Sequence, residues 1–265
     1  MKQLESKVAI ITGAAKGLGA AVATLFVEEG ALVMICDVDR DAGEDLARRL
    51  GSRAAFSHLD VTQENQWEKL IASIEAEHGK LDILVNNAAI FEVGNIESQS
   101  FEVWRRVNAV IADGTFFGCK HAVRSMKKTG GGRIVNVSSV GSLQGEPYAV
   151  AYVAAKGAVE SMTRAVAVHC AKMRYPIRCN SLHPGPIATP MIEAIGEKFD
   201  AARDAGMVFP EDFGTGQGYR ALPEEVAPSV LFLASDASNW VSGARLVADY
   251  TMSVTSANVP PPHDE

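Results

Sequence analysis

The sequence predicts a doubly wound α/β fold, one parallel sheet with helices on both faces, built as a single domain. Three observations carry this. Short β-branched apolar runs alternate with longer amphipathic runs along the chain. The short runs are continuously apolar rather than alternating, as in strands buried on both faces. A glycine cluster, Gly13, Gly17 and Gly19, falls between the first strand-like run and the first helical one.

Taken in order, "KVAIIT", "ALVMICD", "RAAFSHLD", "LDILVNN", "GRIVNVSS" and "IRCNSLHP" read as strands. Residues 17–29, 40–50, 63–78, 101–128 and 151–174 read as the helices between them. No internal repeat or linker divides residues 1–265. The rhythm breaks over 188–222, where Met191, Ile192, Ile195, Phe199, Phe209, Phe213 and Tyr219 lie among glycines. That segment reads either as a mobile substrate flap or as an irregular helical insertion packed on the core. Residues 251–265, ending "NVPPPHDE", read as a tail.

Composition excludes several classes. The chain carries 25 basic against 32 acidic residues, a formal charge of -7, which argues against nucleic-acid or anionic-membrane partners. No apolar run approaches the roughly 20 residues that cross a bilayer. The N-terminus enters a strand at once, without the apolar core of a signal peptide. Cys36, Cys119, Cys170 and Cys179 form no C-x-x-C pair and no zinc-type cluster, so no metal is expected. A cytoplasmic protein with buried thiols is the expectation.

The glycine loop reads T-G-x-x-x-G-x-G, from Thr12 to Gly19, between a strand and a helix. Glycines there permit a tight turn and close approach of a pyrophosphate to the helix N-terminus at Gly17, Leu18 and Gly19. An acid, Asp37, follows at the end of the second strand, 18 residues after Gly19. A carboxylate at that place accepts the adenosine ribose hydroxyls and repels a 2′-phosphate. Lys16 and Arg40 pull the other way, because a cation can pair with that phosphate. The carboxylate occupies the phosphate's own position, so NAD is expected over NADP.

"SSVGSLQGEPYAVAYVAAK" holds two tyrosines, one of them a candidate acid/base. A free tyrosine, with a pKa of about 10, is a poor base at neutral pH unless a cation lies near it. Residues i and i+4 share a helix face, and Lys156 stands four beyond Tyr152. Tyr148 has another tyrosine there and follows Pro147 near the helix start, so Tyr152 is the expected base and Tyr148 a candidate substrate contact. Asn108, in the middle of an expected helix, is unfavourable there unless its side chain has a task. His183, at a strand end before Pro184, reads as structural rather than as a base.

Together these motifs resemble the short-chain dehydrogenase/reductase family, in the expected order from Lys7 to about Val247. The fold implied is a single Rossmann-type domain. The resemblance assigns Asp60 and Val61 to the adenine side and "NNAA", with Asn87, to the cofactor wall. It assigns Tyr152-x-x-x-Lys156 to the acid/base and the nicotinamide ribose, and Asn108 to a water that relays protons to Lys156. Ser139, 13 residues before Tyr152, would bind the substrate oxygen, with Ser138 the alternative. Pro184, Gly185, Ile187 and Thr189 would hold the nicotinamide. Ala89, Tyr250 and Thr251 stand where the family usually has glycine.

Ile90, Val93, Leu143, Tyr148, Met191 and Ile192 make an apolar candidate pocket. The expected activity is NAD(H)-dependent interconversion of a bulky secondary alcohol and its ketone, with a resemblance to bacterial hydroxysteroid dehydrogenases. The alternatives are an NADPH-dependent 3-oxoacyl-type reductase and a non-catalytic dinucleotide sensor. A homotetramer is expected, because the helix carrying Tyr152 is apolar on more than its core-facing stripe, and in this family that helix and the one carrying Asn108 form a subunit interface.

Overall fold

The computed structural model describes residues 2–209 and 220–254. Seven strands form one parallel sheet: β1 Val8–Thr12, β2 Leu32–Asp37, β3 Ala54–His58, β4 Ile83–Asn86, β5 Gly132–Val137, β6 Ile177–Pro184 and β7 Arg245–Ala248. Their spatial order is β3-β2-β1-β4-β5-β6-β7. This is a single-domain Rossmann-type fold, and the order reverses between β1 and β4, where such sheets open a crevice at the carboxyl ends of their strands. β1 is buried at every position and β4 likewise, which is why neither alternates in sequence.

The helices are α1 Gly17–Glu28, α2 Arg40–Leu50, α3 Glu64–His78, α4 Phe101–Asn108, α5 Gly114–Met126, α6 Val150–Lys172, α7 Pro190–Asp204 and α8 Pro223–Ala234. One apolar cluster, with Phe26, Ile11 and Val230, packs α1 and α8 on one face of the sheet. Another, centred on Trp67, packs α3, α5 and α6 on the other. The four cysteines are unbridged and buried.

One expectation needs correcting. The helix expected over 101–128 is interrupted by a π turn, Ala109–Asp113. Asn108 Nδ2 donates to the Trp104 carbonyl one turn back, 2.9 Å away. Such back-bonding competes with the regular ladder, and π turns of this kind accompany functional positions.

Three elements come from segments whose signals are weak in sequence. β7 is a half-exposed edge strand. α8 begins at Pro223, with the Glu225 carboxylate accepting from Leu222 N at 2.6 Å. α7 occupies the first part of the 188–222 segment, capped by Thr189 with Pro190 at its first position. Phe213 and Tyr219 of that segment, and 255–265 of the tail, lie outside the described residues. Just after β7, Tyr250 and Thr251 adopt φ of 47° and 70°. That left-handed backbone is one that residues other than glycine rarely adopt.

Candidate active site

The loop after β1 turns at Gly13 with φ of 60°, and a Cβ there would lie 2.8 Å from Ala88 Cα. The loop is therefore pressed against the end of β4. Asn87 Nδ2 reinforces the join, donating to the Thr12 and Gly13 carbonyls at 3.0 Å each. Gly17 has φ of 57°, and a Cβ there would come within 3.0 Å of Thr189 Cγ2. The glycine loop, the "NNAA" turn and the start of α7 thus meet at the switch point. Leu18 is buried beneath the loop, so its side chain serves the core. A backbone that cannot accept side chains at the N-terminus of α1 fits a dinucleotide pyrophosphate.

Asp37, at the end of β2, accepts from Ala15 N on the glycine loop and from Asp39 N, each at 3.0 Å. Its carboxylate is fixed beside the loop with lone pairs left over for hydroxyl donors. Lys16 does not stand free next to it: its ammonium is 2.6 Å from Asp39 Oδ2. That carboxylate raises the Lys16 pKa, and the lysine holds Asp39 below the usual range. Arg40 pairs with Glu44 at 3.2 Å.

Asp60 Oδ1 is engaged by Thr62, at 3.0 Å from its N and 2.8 Å from its Oγ1. Val61 is buried, and a Cβ on Gly114 of α5 would come within 2.9 Å of Val61 Cγ2. Pro184 ends β6, Gly185 N donates to Ala248 O at 3.0 Å, and Ile187 is buried beside Ala221. The Thr189 hydroxyl caps α7 through Ile192 N at 3.4 Å.

The chemical groups lie at the ends of β5 and α6. Tyr152 and Lys156 share a face of α6, with the Lys156 ammonium 5.6 Å from the Tyr152 ring centroid. Tyr148 precedes the helix, in the turn that begins it. The Ser139 hydroxyl lies close enough to the Tyr152 phenol to lower its pKa, and its Oγ accepts from Gly141 N at 3.1 Å. Ser138 points elsewhere: its hydroxyl donates to the Lys156 carbonyl at 2.9 Å. Asn108 lies on α4, which packs against α6 through Val107, Ala155 and Val159.

The electrostatics differ from the simple expectation that a lysine cation lowers the phenol. Burial pushes the Tyr152 pKa up, and the neighbouring Ser139 hydroxyl offsets this only in part. Burial also brings Lys156 down to about 7, so at neutral pH it is only partly charged. Its Nζ donates to the Val137 carbonyl at 2.7 Å. A phenolate or an ammonium is costly alone in this enclosure. Formed together, they offset one another's desolvation.

Aromatic rings gather beside these groups. The Phe91 ring meets the Tyr152 ring at a tilt of 55° with centroids 5.2 Å apart, and Tyr148 meets Phe209 at 4.7 Å. Phe199 of α7 reaches Phe209 at 5.5 Å. Leu143, Met191 and Ile192 are each half-buried. No residue of α7 is fully buried, as expected for a helix laid over an opening. Its tether is Lys198, which donates to the Phe91 carbonyl at 2.7 Å and pairs with Glu92 at 2.9 Å. Glu92 also binds Arg106 at 2.9 Å. Phe91, Glu92 and Lys198 escaped the sequence reading. The aromatic residue directly after "NNAAI" was the available signal. Among the described residues, no helix is long and apolar enough to cross a membrane.

Comparison with known proteins gives a consistent result. A family model described as enoyl-(acyl carrier protein) reductase matches residues 13–253. The chain is 41% identical over 248 residues to a 3-beta-hydroxysteroid dehydrogenase of Comamonas testosteroni, covering 93% of this chain and 96% of that one. It is 41% identical over 252 residues to a cyclopentanol dehydrogenase of a Comamonas species, covering 94% and 98%. An NADP-dependent (R)-specific alcohol dehydrogenase of Lentilactobacillus kefiri is 37% identical over 250 residues, covering 93% and 96%.

Proposed function

The chain belongs to the short-chain dehydrogenase/reductase family, and from that premise we propose that it is an NAD(H)-dependent secondary alcohol dehydrogenase acting on bulky apolar, steroid-like or alicyclic substrates. The observation that carries this reading is the Ser139–Tyr152–Lys156 cluster with the Phe91 ring packed against Tyr152.

Gly13, Gly17, Leu18 and Gly19 would hold the pyrophosphate by their backbone, Asp37 the adenosine ribose, and Asp60, Val61 and Asn87 the adenine and the wall beside it. Pro184, Gly185, Ile187 and Thr189 would flank the nicotinamide. When bound, the nicotinamide supplies the hydride acceptor for oxidation and the donor for reduction. The rest belongs to the chain. Ser139 donates to the substrate oxygen and opposes the charge that develops there. Tyr152 takes the hydroxyl proton in oxidation and returns one in reduction. A protonated Lys156 stabilises the phenolate, and Asn108 holds the water through which that proton reaches solvent. Ile90, Val93, Phe91, Leu143, Tyr148, Met191 and Ile192 enclose apolar rings, with α7 as the lid.

The acyl-carrier alternative draws less support, because a carrier is acidic while this chain has a formal charge of -7 and Asp37 opposes a 2′-phosphate. The sensor alternative does not need Ser139, Tyr152 and Lys156 gathered at one place. A homotetramer fits the outer side of α5 and α6. There Phe116, Val123, Met162, Val166 and Tyr175 line a groove of about 500 Å³, and Phe116 and Val168 are exposed.

A substrate panel tests the reading. A 3β-hydroxysteroid, cyclopentanol and a linear secondary alcohol are each supplied with NAD and with NADP, and reduced cofactor is followed by absorbance. The expected result is NAD-linked turnover highest for the ring alcohols. No turnover of any secondary alcohol with either cofactor would contradict it.

A further inference from the structure

We propose that His183 is a positioning residue for Ser139: its Nδ1–H holds the Ser139 carbonyl and so fixes the hydroxyl offered to the substrate oxygen. This rests on the role given to Ser139 above.

The need for such a group comes from where the sheet stops. The ladder between β5 and β6 runs to Ser138 N, which donates to the Leu182 carbonyl at 2.7 Å. Ser139 is the next residue, beyond the last rung and before a single turn of 3-10 helix, Val140–Ser142. Its carbonyl therefore has no strand partner. Three donors meet it instead: Ser142 N at 3.0 Å, Ser142 Oγ at 2.8 Å and His183 Nδ1 at 3.2 Å. Two of them come from the turn itself, and only His183 anchors it to the sheet.

The hydrogen bonds assign the tautomer. A carbonyl can only accept, so Nδ1 must carry the proton. Ser142 Oγ, 3.1 Å from Nδ1, spends its own proton on the same carbonyl and can accept from the ring. On the far side Ser181 Oγ is 2.9 Å from Nε2, and its alternative acceptor, the Ala244 carbonyl, is 3.5 Å away. Ser181 thus donates to a bare Nε2. The opposite tautomer would set a lone pair against the Ser139 carbonyl. The ring is fully enclosed, and burial holds it below the usual histidine value of 6.5, helped by Arg245 and Lys156. Glu160 and the Ser139 carbonyl oppose this. A neutral, fixed imidazole facing a carbonyl is a strut rather than a base.

Two amides separate this role from mere packing. In Asn the amide nitrogen falls near Nδ1, whereas in Gln it falls near Nε2. With folding verified by melting temperature, and with the best alcohol of the panel, His183→Gln should lower kcat about tenfold, the scale of one positioning hydrogen bond. KM for NAD should stay unchanged. His183→Asn should recover most of that loss. Equal losses in the two variants, or the reverse order, overturn the proposal. An independent readout needs no substrate: nitrogen-15 spectra of the wild-type histidines, with the His183 signals identified by their loss in either variant. A protonated Nδ1 and a bare Nε2 between about pH 6 and pH 8 support the strut, and a protonated Nε2 overturns it. If the wild type oxidises no alcohol, the reading of function fails while the spectra still decide this one.

Discussion

Lys16 and Asp39 form an ion pair, 2.6 Å from ammonium to carboxylate, close to the Asp37 carboxylate. The cation that would welcome the phosphate is thereby turned toward a second acid beside Asp37. The wild type should therefore have higher kcat/KM with NAD than with NADP. Asp37→Ser should narrow the gap, and adding Asp39→Asn, which keeps the helix cap but frees Lys16, should narrow it further. Steady-state kinetics with both cofactors check this, and a wild type that prefers NADP would show that the pair yields to the phosphate.

The α7 tether gives a second prediction. Lys198 joins the lid to Phe91 and Glu92, and Phe91 packs against the Tyr152 ring. Lys198→Met should raise KM for a ring alcohol roughly fivefold, on the order of 1 kcal/mol for a partly exposed ion pair. kcat should change little. An effect on kcat alone would place the lysine's influence in the chemistry instead.

Lys156 makes the stability of the cofactor-free protein depend on pH. Burial lowers its pKa to about 7 from the ordinary 10.5, so in between the unfolded chain binds more protons than the folded one. Stability must then rise with pH, at a slope on the order of 1 kcal/mol per pH unit. His183, also lowered, acts in the same sense below 6.5. The buried thiol of Cys36 is raised from 9.0 and opposes the trend at higher pH. Denaturant titrations between about pH 7 and pH 8.5 should show the rise, and Lys156→Met should flatten it.

The core of this fold was legible because its strands are buried on both faces and so read as unbroken apolar runs. β7, half-exposed at the edge, lacked that signal, and α7, with no fully buried residue, read equally as flap or helix. The π turn after Asn108 was hidden because apolar periodicity does not show a side-chain bond to the Trp104 carbonyl one turn back. Candidate site residues carried by spacing, such as Tyr152 and Lys156, could be named in advance. The ion pair at Lys16 and the strut at His183 could not, since both depend on residues brought together by folding.

The groove between α5 and α6 bears on assembly. A second copy packed there would cover Phe116 and Val168 by an isologous contact. Light scattering at micromolar concentration should give about four times the 28.2 kDa chain mass. Phe116→Asp should lower that mass, and a wild-type value near 28.2 kDa would contradict the assembly.

The central claim is that Tyr152, beside Ser139 and on the same helix face as Lys156, moves the proton. The most direct measurement is kcat for Tyr152→Phe beside Tyr148→Phe, with the same alcohol and NAD. Loss of the phenol at position 152 should cost roughly 100-fold or more, the usual worth of a positioned acid/base. Tyr148→Phe should retain most activity. Near-normal turnover in Tyr152→Phe, or the larger loss in Tyr148→Phe, would contradict the claim.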